Sequence, residues 1–188
     1  MLAYAAGDVS AFERLYTRHA RAVHRFIARL LRSDAAADDL LQDTWFAVAR
    51  NAATYQPSAR FTTWLYTIAR SRVIDHVRAQ RPSVSLDEPA GAGDEAPTLG
   101  EQLAADARDE PLRRLEGRED ARTFLRALDA LPDAQREAFL LQAEGDLSVE
   151  AIAQATGVGV ETARSRLRYA RARLRAHLAA AAANGVAR

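Results

Sequence analysis

The stretch from Leu147 to Arg175, LSVEAIAQATGVGVETARSRLRYARARLR, constrains the fold more than any other part of the chain. Ser148 is suited to cap a short amphipathic helix, because its hydroxyl can accept from a backbone N–H of the first turn. Gly157 follows that helix and tolerates the positive φ with which many helices end. A second helix is predicted to begin near Val160 and to run through the arginines. The pattern predicts a helix-turn-helix.

The second of these helices has a narrow apolar stripe and a slim polar face opposite it. Between Val160 and Leu178 it carries six arginines against one acid, a net charge of +5. Arginines on the solvated face of an ordinary bundle usually alternate with acids, whereas these flank the slim face, which favours binding in the major groove of DNA. The apolar stripe consists of Ala163, Leu167, Ala170 and Leu174. The residues predicted to contact duplex DNA are Glu161, Thr162, Arg164, Ser165, Arg166, Arg168, Tyr169, Arg171 and Arg173.

The net charge of +1 is the sum of two basic segments and one acidic segment. Residues 9–81 carry twelve Arg against six acids, and residues 112–188 carry thirteen Arg against ten acids. Residues 82–111 carry one Arg against eight acids, with four Pro and three Gly. This segment has too little apolar surface to fold alone, which predicts a flexible acidic linker. The chain is therefore predicted to be all-α, with small helical domains at 1–81 and 112–188, the second ending in the helix-turn-helix.

Helical periodicity and capping signals place further helices in both domains. Asp8 can cap a helix predicted from Val9 to Leu31. In the first domain, two more helices are predicted from Ser33 or Asp34 to near Asn51 and from Phe61 to about Arg81. In the second domain, one helix is predicted from Leu112 to Leu131. Another is predicted to begin with Pro132 as its first helical residue. Between the second and third helices, Asn51 to Arg60 is predicted to be a loop.

The predicted helix after Ser33 has an acidic outer face that contains one aromatic residue. The acids could simply favour the positive end of the helix dipole. An exposed ring among acids instead indicates a surface that binds a basic, partly apolar partner. Packing of that ring under a neighbouring helix is the alternative. The face consists of Asp38, Asp39, Gln42, Asp43 and Phe46.

The predicted helix from Phe61 interleaves aromatic residues with Arg and Thr. Its first turns are predicted to point Thr63, Tyr66, Thr67 and Arg70 outward, with Trp64 at the margin. Rings beside cations and hydroxyls can stack unpaired bases and hold a strand backbone. Taken alone, an aromatic stripe of this kind is more often part of a core.

Composition disfavours several classes of function. The chain has no cysteine, and His19 and His24 are five residues apart, so no metal site is expected. No apolar run is long enough to span a bilayer, and no signal-peptide pattern is present. The acids Asp38, Asp39 and Asp43 face no second acidic cluster of the kind a metal-dependent nuclease needs. We expect a cytoplasmic protein with no enzymatic activity, no cofactor and no membrane insertion.

The order of these parts resembles the extracytoplasmic-function (ECF) sigma factors of bacterial RNA polymerase. The resemblance covers about residues 8–178 and rests on DDLLQDTWFAVAR, FTTWLYTIARSRVIDHVR and ALPDAQREAFLLQAEGDLSVEAIAQATGVGVETARSRLRYARARL, in this order. It implies promoter-directed transcription initiation. The first domain would bind the clamp of core RNA polymerase, help to melt the −10 element and bind its single strand. The second domain would bind duplex DNA at −35. Whether an anti-sigma factor also binds the chain stays open.

Motif matches within this resemblance assign residues to the two tasks of the first domain. The polymerase-binding set is Asp38, Asp39, Leu40, Gln42, Asp43 and Phe46. The set for melted −10 DNA is Asn51, Tyr55, Gln56, Arg60, Thr63, Trp64, Tyr66, Arg70 and Ser71. In the family the loop in this second set captures a flipped base. Ser71 stands where the family usually has Asn, and Glu161 where it commonly has Gly.

A helix-turn-helix repressor or a response-regulator-type DNA-binding protein would share the C-terminal half. Neither needs an acidic docking face on a separate helical domain, and such proteins usually carry a ligand-binding or dimerisation module. Co-purification with core RNA polymerase would distinguish these classes of protein.

Overall fold

The computed structural model of the chain describes residues 1–80 and 118–186, and every regular element in those ranges is helical. The predicted all-α class is confirmed. The predicted linker at 82–111 and the predicted helix start at Leu112 lie outside the described residues.

The N-terminal half contains three long helices and a short one ahead of them. They are α1 (Leu2–Ala5), α2 (Val9–Leu31), α3 (Ala37–Arg50) and α4 (Phe61–Gln80), with a 3₁₀ turn at Ala52–Thr54. Helix α2 has both of its predicted bounds. The Oδ1 atom of Asp8 accepts from the Ala11 N–H at 3.2 Å, so Asp8 is the predicted cap.

The start of α3 differs from the predicted Ser33 or Asp34. Arg32 ends α2 in the left-handed region, with a φ of 57°, and the Ala37 N–H donates to the Asp34 carbonyl at 3.1 Å in the following turn. Ala37 is fully buried. The helix therefore begins where the chain reaches the core, because the residues with capping side chains are used in the turn that reverses the chain.

Residues 118–186 form four helices. They are α5 (Arg118–Asp129), α6 (Asp133–Gly145), α7 (Val149–Thr156) and α8 (Val160–Val186). The Oγ atom of Ser148 accepts from the Ala151 N–H at 3.2 Å, and Gly157 ends α7 with a φ of 70°. The predicted helix-turn-helix is confirmed, and the four residues of its apolar stripe are all buried. Pro132 is the N-cap of α6, one position earlier than predicted.

Gly157→Ala is expected to lower the free energy of unfolding by about 1 kcal/mol, because an L residue with a side chain is strained at positive φ. The space around Gly157 is open, so the effect comes from the backbone alone. Gly159→Ala is the matched control, since its added Cβ would meet only Thr162 Oγ1 at 4.0 Å and its φ is unstrained. Urea denaturation measures both variants. Equal losses of stability in the two variants would contradict this explanation.

One hydrophobic core runs through both halves of the described chain, and α6 lies at its centre. This helix packs against α2 and α4 on one side and against α7 and α8 on the other. Leu140 and Leu141 of α6 are both fully buried. The two halves are thus packed against each other through α6.

Tyr66 lies where α4 meets α6 and is only 1% exposed. Its hydroxyl donates to the Glu144 carbonyl at 2.7 Å, and burial raises its pKa. A Cβ atom at Gly145 would lie 3.1 Å from the Tyr66 ring, so the glycine permits this close approach. The prediction that Thr63 and Tyr66 point outward is wrong in this arrangement, since both are buried. For Tyr66 the reason is that the C-terminal half covers this face of α4.

Candidate protein and nucleic-acid interfaces

The outer face of α8 is open to solvent, while its apolar stripe packs inward. Helices α5, α6 and α7 all contact α8 within the C-terminal half. The exposed members of the predicted set are Glu161, Arg164, Arg168, Arg171 and Arg173. The half-buried members are Thr162, Ser165, Arg166 and Tyr169. This face is therefore accessible to a partner without any change in the C-terminal half.

Several of these side chains already have partners. Arg164 forms an ion pair with Glu161 one turn earlier. The Arg168 guanidinium lies 4.9 Å from the centroid of the Tyr169 ring. The Arg171 Nη2 atom donates to Gln142 Oε1 of α6 at 2.6 Å. Such exposed contacts are worth at most about 1 kcal/mol, so they orient the side chains without preventing them from binding DNA.

The acidic face of α3 borders a groove of about 570 Å³. Phe46 is 57% exposed at this groove, so the alternative that it packs under a neighbouring helix does not apply. Leu40, at 6% exposed, belongs to the core and supports the face from beneath. The groove is lined by Phe12, Tyr16, Asp38, Asp39, Leu41, Gln42, Trp45, Phe46 and Ala49.

The aromatic wall of this groove comes from α2 and could not be assigned from sequence. The Phe12 ring meets the Trp45 ring edge-on at 5.6 Å, and the Tyr16 ring lies 5.1 Å from it, both between centroids. Phe12 and Tyr16 belong to the helically spaced apolar residues of α2. Their spacing of four residues puts both rings on one helix face, but only the packing of α2 on α3 shows that this face ends at an open groove.

The loop before α4 carries a small aromatic cluster. The Tyr55 ring lies 4.9 Å from Trp64 and 6.2 Å from Phe61, and Phe61 lies 5.6 Å from His19. Burial lowers the pKa of His19. Asn51, at the start of the loop, donates from Nδ2 to the Ala47 carbonyl at 2.8 Å and so caps α3. The cluster packs Tyr55 of an otherwise exposed loop against the first turn of α4.

Farther along, the face of α4 that was predicted to meet a melted strand contacts the C-terminal half. The Arg70 Nε atom donates to Glu137 Oε1 at 2.8 Å, and Arg60 Nη1 donates to Asp146 Oδ2 at 3.3 Å. Gln56 and Ser71 are exposed, and Trp64 is half-buried. Most of the loop before α4 is thus exposed to solvent, whereas the C-terminal half covers the centre of α4.

Both halves match known sequence families. Residues 15–82 match Sigma-70 region 2, and residues 121–174 match Sigma-70, region 4. The RNA polymerase sigma factor CarQ of Myxococcus xanthus is 38% identical over 85% of this chain and 84% of its own. The ECF RNA polymerase sigma factor SigK of Mycolicibacterium vanbaalenii is 31% identical over 86% of this chain and 78% of its own. The chain belongs to the ECF sigma factor family.

The fold agrees with this assignment. The structure of CnrH in complex with the cytosolic domain of CnrY is similar to this sigma factor with a TM-score of 0.62 and 26% identity, over 94% of this chain and 92% of CnrH. Region 2 contains the acidic groove, the loop and α4, and region 4 contains the helix-turn-helix. This sigma factor is a transcription initiation factor that acts with core RNA polymerase at promoter DNA. The repressor alternative is not favoured, because region 2 accounts for the N-terminal half.

Long helices can also span a membrane or supply side chains to a metal site. No helix in residues 1–80 and 118–186 is long and apolar enough to cross a membrane. The same ranges contain no group of three or more side chains placed to hold a metal ion.

Proposed function

We propose that three surfaces of this sigma factor carry three separate tasks. The acidic groove of α2 and α3 binds the clamp of core polymerase. The loop from Asn51 to Arg60 and the exposed part of α4 bind the melted −10 strand. The outer face of α8 binds duplex −35 DNA. The domain boundaries that accompany these tasks are 1–81 and 112–188, with the acidic linker between them.

The observation that carries the docking task is an exposed aromatic ring beside exposed carboxylates at an open groove. Phe46 offers apolar area, and Asp38, Asp39 and Gln42 line the same groove. Carboxylates steer a basic partner toward the site, and a buried ring then supplies most of the affinity. A basic helical segment with apolar side chains is the partner that fits.

The −10 task depends on how binding can open a duplex. A sigma factor performs no catalytic step, so it favours the open form by binding unpaired DNA better than paired DNA. Unstacking one base costs a few kcal/mol, which one pocket and one aromatic stack can offset. Tyr55 and Trp64 already lie ring against ring at the base of the loop, and Gln56 is exposed beside them. These features support the loop as the base-binding pocket.

We further propose that this sigma factor acts in the cytoplasm, is not an enzyme, and is held inactive by an anti-sigma factor. The support for the anti-sigma partner is the solved complex of CnrH with the cytosolic domain of CnrY.

The −35 task is tested by separating phosphate contacts from base contacts on α8. Arg168→Ala and Arg173→Ala should weaken binding to all duplexes alike and reduce the salt slope by about 0.9 for each phosphate that is no longer neutralised. Glu161→Ala should instead change base preference, because its carboxylate can accept from a cytosine amino group. Fluorescence titrations of a small duplex library over a range of salt measure both effects.

The control is Arg122→Ala, which removes one exposed charge of region 4 outside the helix-turn-helix. It should leave both the salt slope and the preferences near those of the parent protein. Unchanged base preferences in Glu161→Ala would show that the reading face has been assigned wrongly.

A further inference from the structure

Five arginines of region 2 lie near four carboxylates of region 4 along α6 and the turn after it. The Arg32 Nη2 and Asp133 Oδ1 atoms are 3.7 Å apart, beyond hydrogen-bonding distance, whereas the other four arginines donate hydrogen bonds to three carboxylates. Arg25 donates to Glu144 from Nε and Nη2, the shortest contact being 2.7 Å, and Arg29 Nη1 donates to the same carboxylate at 2.7 Å. The contacts of Arg70 with Glu137 and of Arg60 with Asp146 extend the row on either side. Each contact joins a region 2 guanidinium to a region 4 carboxylate.

Glu144 is the centre of this row. Its side chain is 2% exposed, whereas Arg25 and Arg29 keep 40% and 22% of their side-chain surface exposed. A carboxylate so deeply buried is stable only when it is fully paired, and two guanidinium groups pair it here. Hydrogen bonding to Glu144 raises the pKa of Arg25. The cations, by contrast, remain at the edge of solvent.

The charged residues of α6 and of α2 in this row are each spaced so that they lie on one face of their helix. Glu137 and Glu144 are seven residues apart on α6, so they lie on one face about 10 Å apart along the axis. Arg25 and Arg29 are four residues apart on α2 and share one face. Guanidinium forks bind carboxylate and phosphate oxygens with the same planar geometry. Arginines that are placed to bind a row of carboxylates can therefore also bind phosphate groups.

We propose that Arg25, Arg29, Arg60 and Arg70 form a binding site for the backbone phosphates of the melted DNA strand, and that Glu137, Glu144 and Asp146 occupy this site when the two halves are packed together. The inference rests on the proposed −10 function, since it extends that surface from α4 onto α2. Tyr66, buried in the same contact, becomes available when the carboxylates leave. The outer face of α8 takes no part in the contact, so the packed chain can bind −35 duplex while its −10 site is filled.

The test compares variants on the two sides of the contact. Glu144→Gln removes the carboxylate charge and should increase the affinity of the full chain for single-stranded DNA several-fold. Arg25→Ala with Arg29→Ala also loosens the contact but removes two phosphate ligands, so affinity should fall about tenfold and the salt slope by about 1.4. If the arginines only hold the halves together, both changes should raise affinity. Unchanged or increased affinity in the arginine variant overturns the proposal.

The probe is a labelled twelve-nucleotide single strand of mixed sequence, because phosphate contacts do not depend on sequence. Gly145→Ala tests opening without a change of charge: its added Cβ would lie 2.6 Å from Leu147 Cδ1 and 3.1 Å from the Tyr66 ring, so both side chains must shift at the contact between the halves. It too should increase single-strand affinity, and an unchanged value would show that the site is not covered. Arg14→Ala with Arg78→Ala removes two exposed charges elsewhere on the N-terminal half and should have little effect.

Assembly with core polymerase separates this inference from the proposed function. If the parent protein forms holoenzyme and transcribes, but Glu144→Gln and the arginine variant bind single strands like the parent, only the phosphate site is wrong. If the parent protein forms no holoenzyme, the proposed function fails. Circular dichroism on thermal unfolding confirms that each variant is folded before its binding is compared.

Discussion

Asp39→Arg and Phe46→Ala are each expected to weaken assembly with core polymerase by about 2 kcal/mol or more, roughly thirty-fold in Kd. The first change puts a cation in front of a basic partner, and like charges across an interface cost several kcal/mol. The second removes the ring that would fill a pocket on the partner, as central aromatic anchors do at protein interfaces. Phe46 is 57% exposed in the free chain, so its loss should hardly change stability. Surface plasmon resonance with immobilised core enzyme measures the affinity.

Asp75→Arg is the matched control for the charge change, because Asp75 is exposed on α4 and does not line the groove. It should assemble like the parent protein. Binding of −35 duplex by the groove variants should also stay normal, since region 4 is untouched. Normal assembly of Asp39→Arg would reject the docking site, and joint loss of assembly and −35 binding would indicate unfolding.

Replacing the loop from Asn51 to Arg60 with the corresponding loop of a related sigma factor is expected to transfer that factor's −10 preference. A mismatched base in a recognition site typically costs about 1–3 kcal/mol, so preferences at the captured position should shift roughly five- to 150-fold. The transplant should keep an aromatic residue at position 55, because Tyr55 packs on Trp64 at the base of the loop. Transcription from a randomised −10 library with reconstituted holoenzyme measures the preference at each position.

The −35 preference of the chimera should remain that of the parent, because α8 is unchanged. A second chimera that exchanges residues 33–36, the turn between α2 and α3, is the control for loop replacement as such and should keep the parental −10 preference. An unaltered −10 preference in the first chimera would reduce the loop to a connection between helices.

The local elements of this protein were predictable, because the signals that define them lie within a few residues of each other. Asp8 caps α2 through the amide of Ala11, and Ser148 caps α7 through the amide of Ala151, each three residues ahead. Helical periodicity likewise identified the acidic face of α3, and Phe46 is exposed on it as predicted. Helix capping and amphipathic spacing act over one or two turns, so a single sequence is enough to identify them.

The start of α3 and the direction of Tyr66 were not predictable in this way. Ser33 and Asp34 carry capping side chains, but the left-handed Arg32 and the buried Ala37 place the helix start three or four residues later. Tyr66 was expected to point outward with Thr63 and Arg70. Only the position of α6, whose Glu144 carbonyl accepts from the Tyr66 hydroxyl at 2.7 Å, shows that this part of α4 is covered.

The sequence by itself determined the all-helical class, the helix-turn-helix, the caps and the charged faces, because each follows from residues close together in the chain. Only the tertiary structure decided how the faces of the two halves combine. The pairing of Arg25 with Glu144 joins residues separated by 119 positions. Nothing in the local pattern of either helix selects that partner, since any carboxylate brought to the site would satisfy the guanidinium group. The choice comes from α6, whose apolar residues pack against α2 and α4 and so carry Glu144 to the arginines.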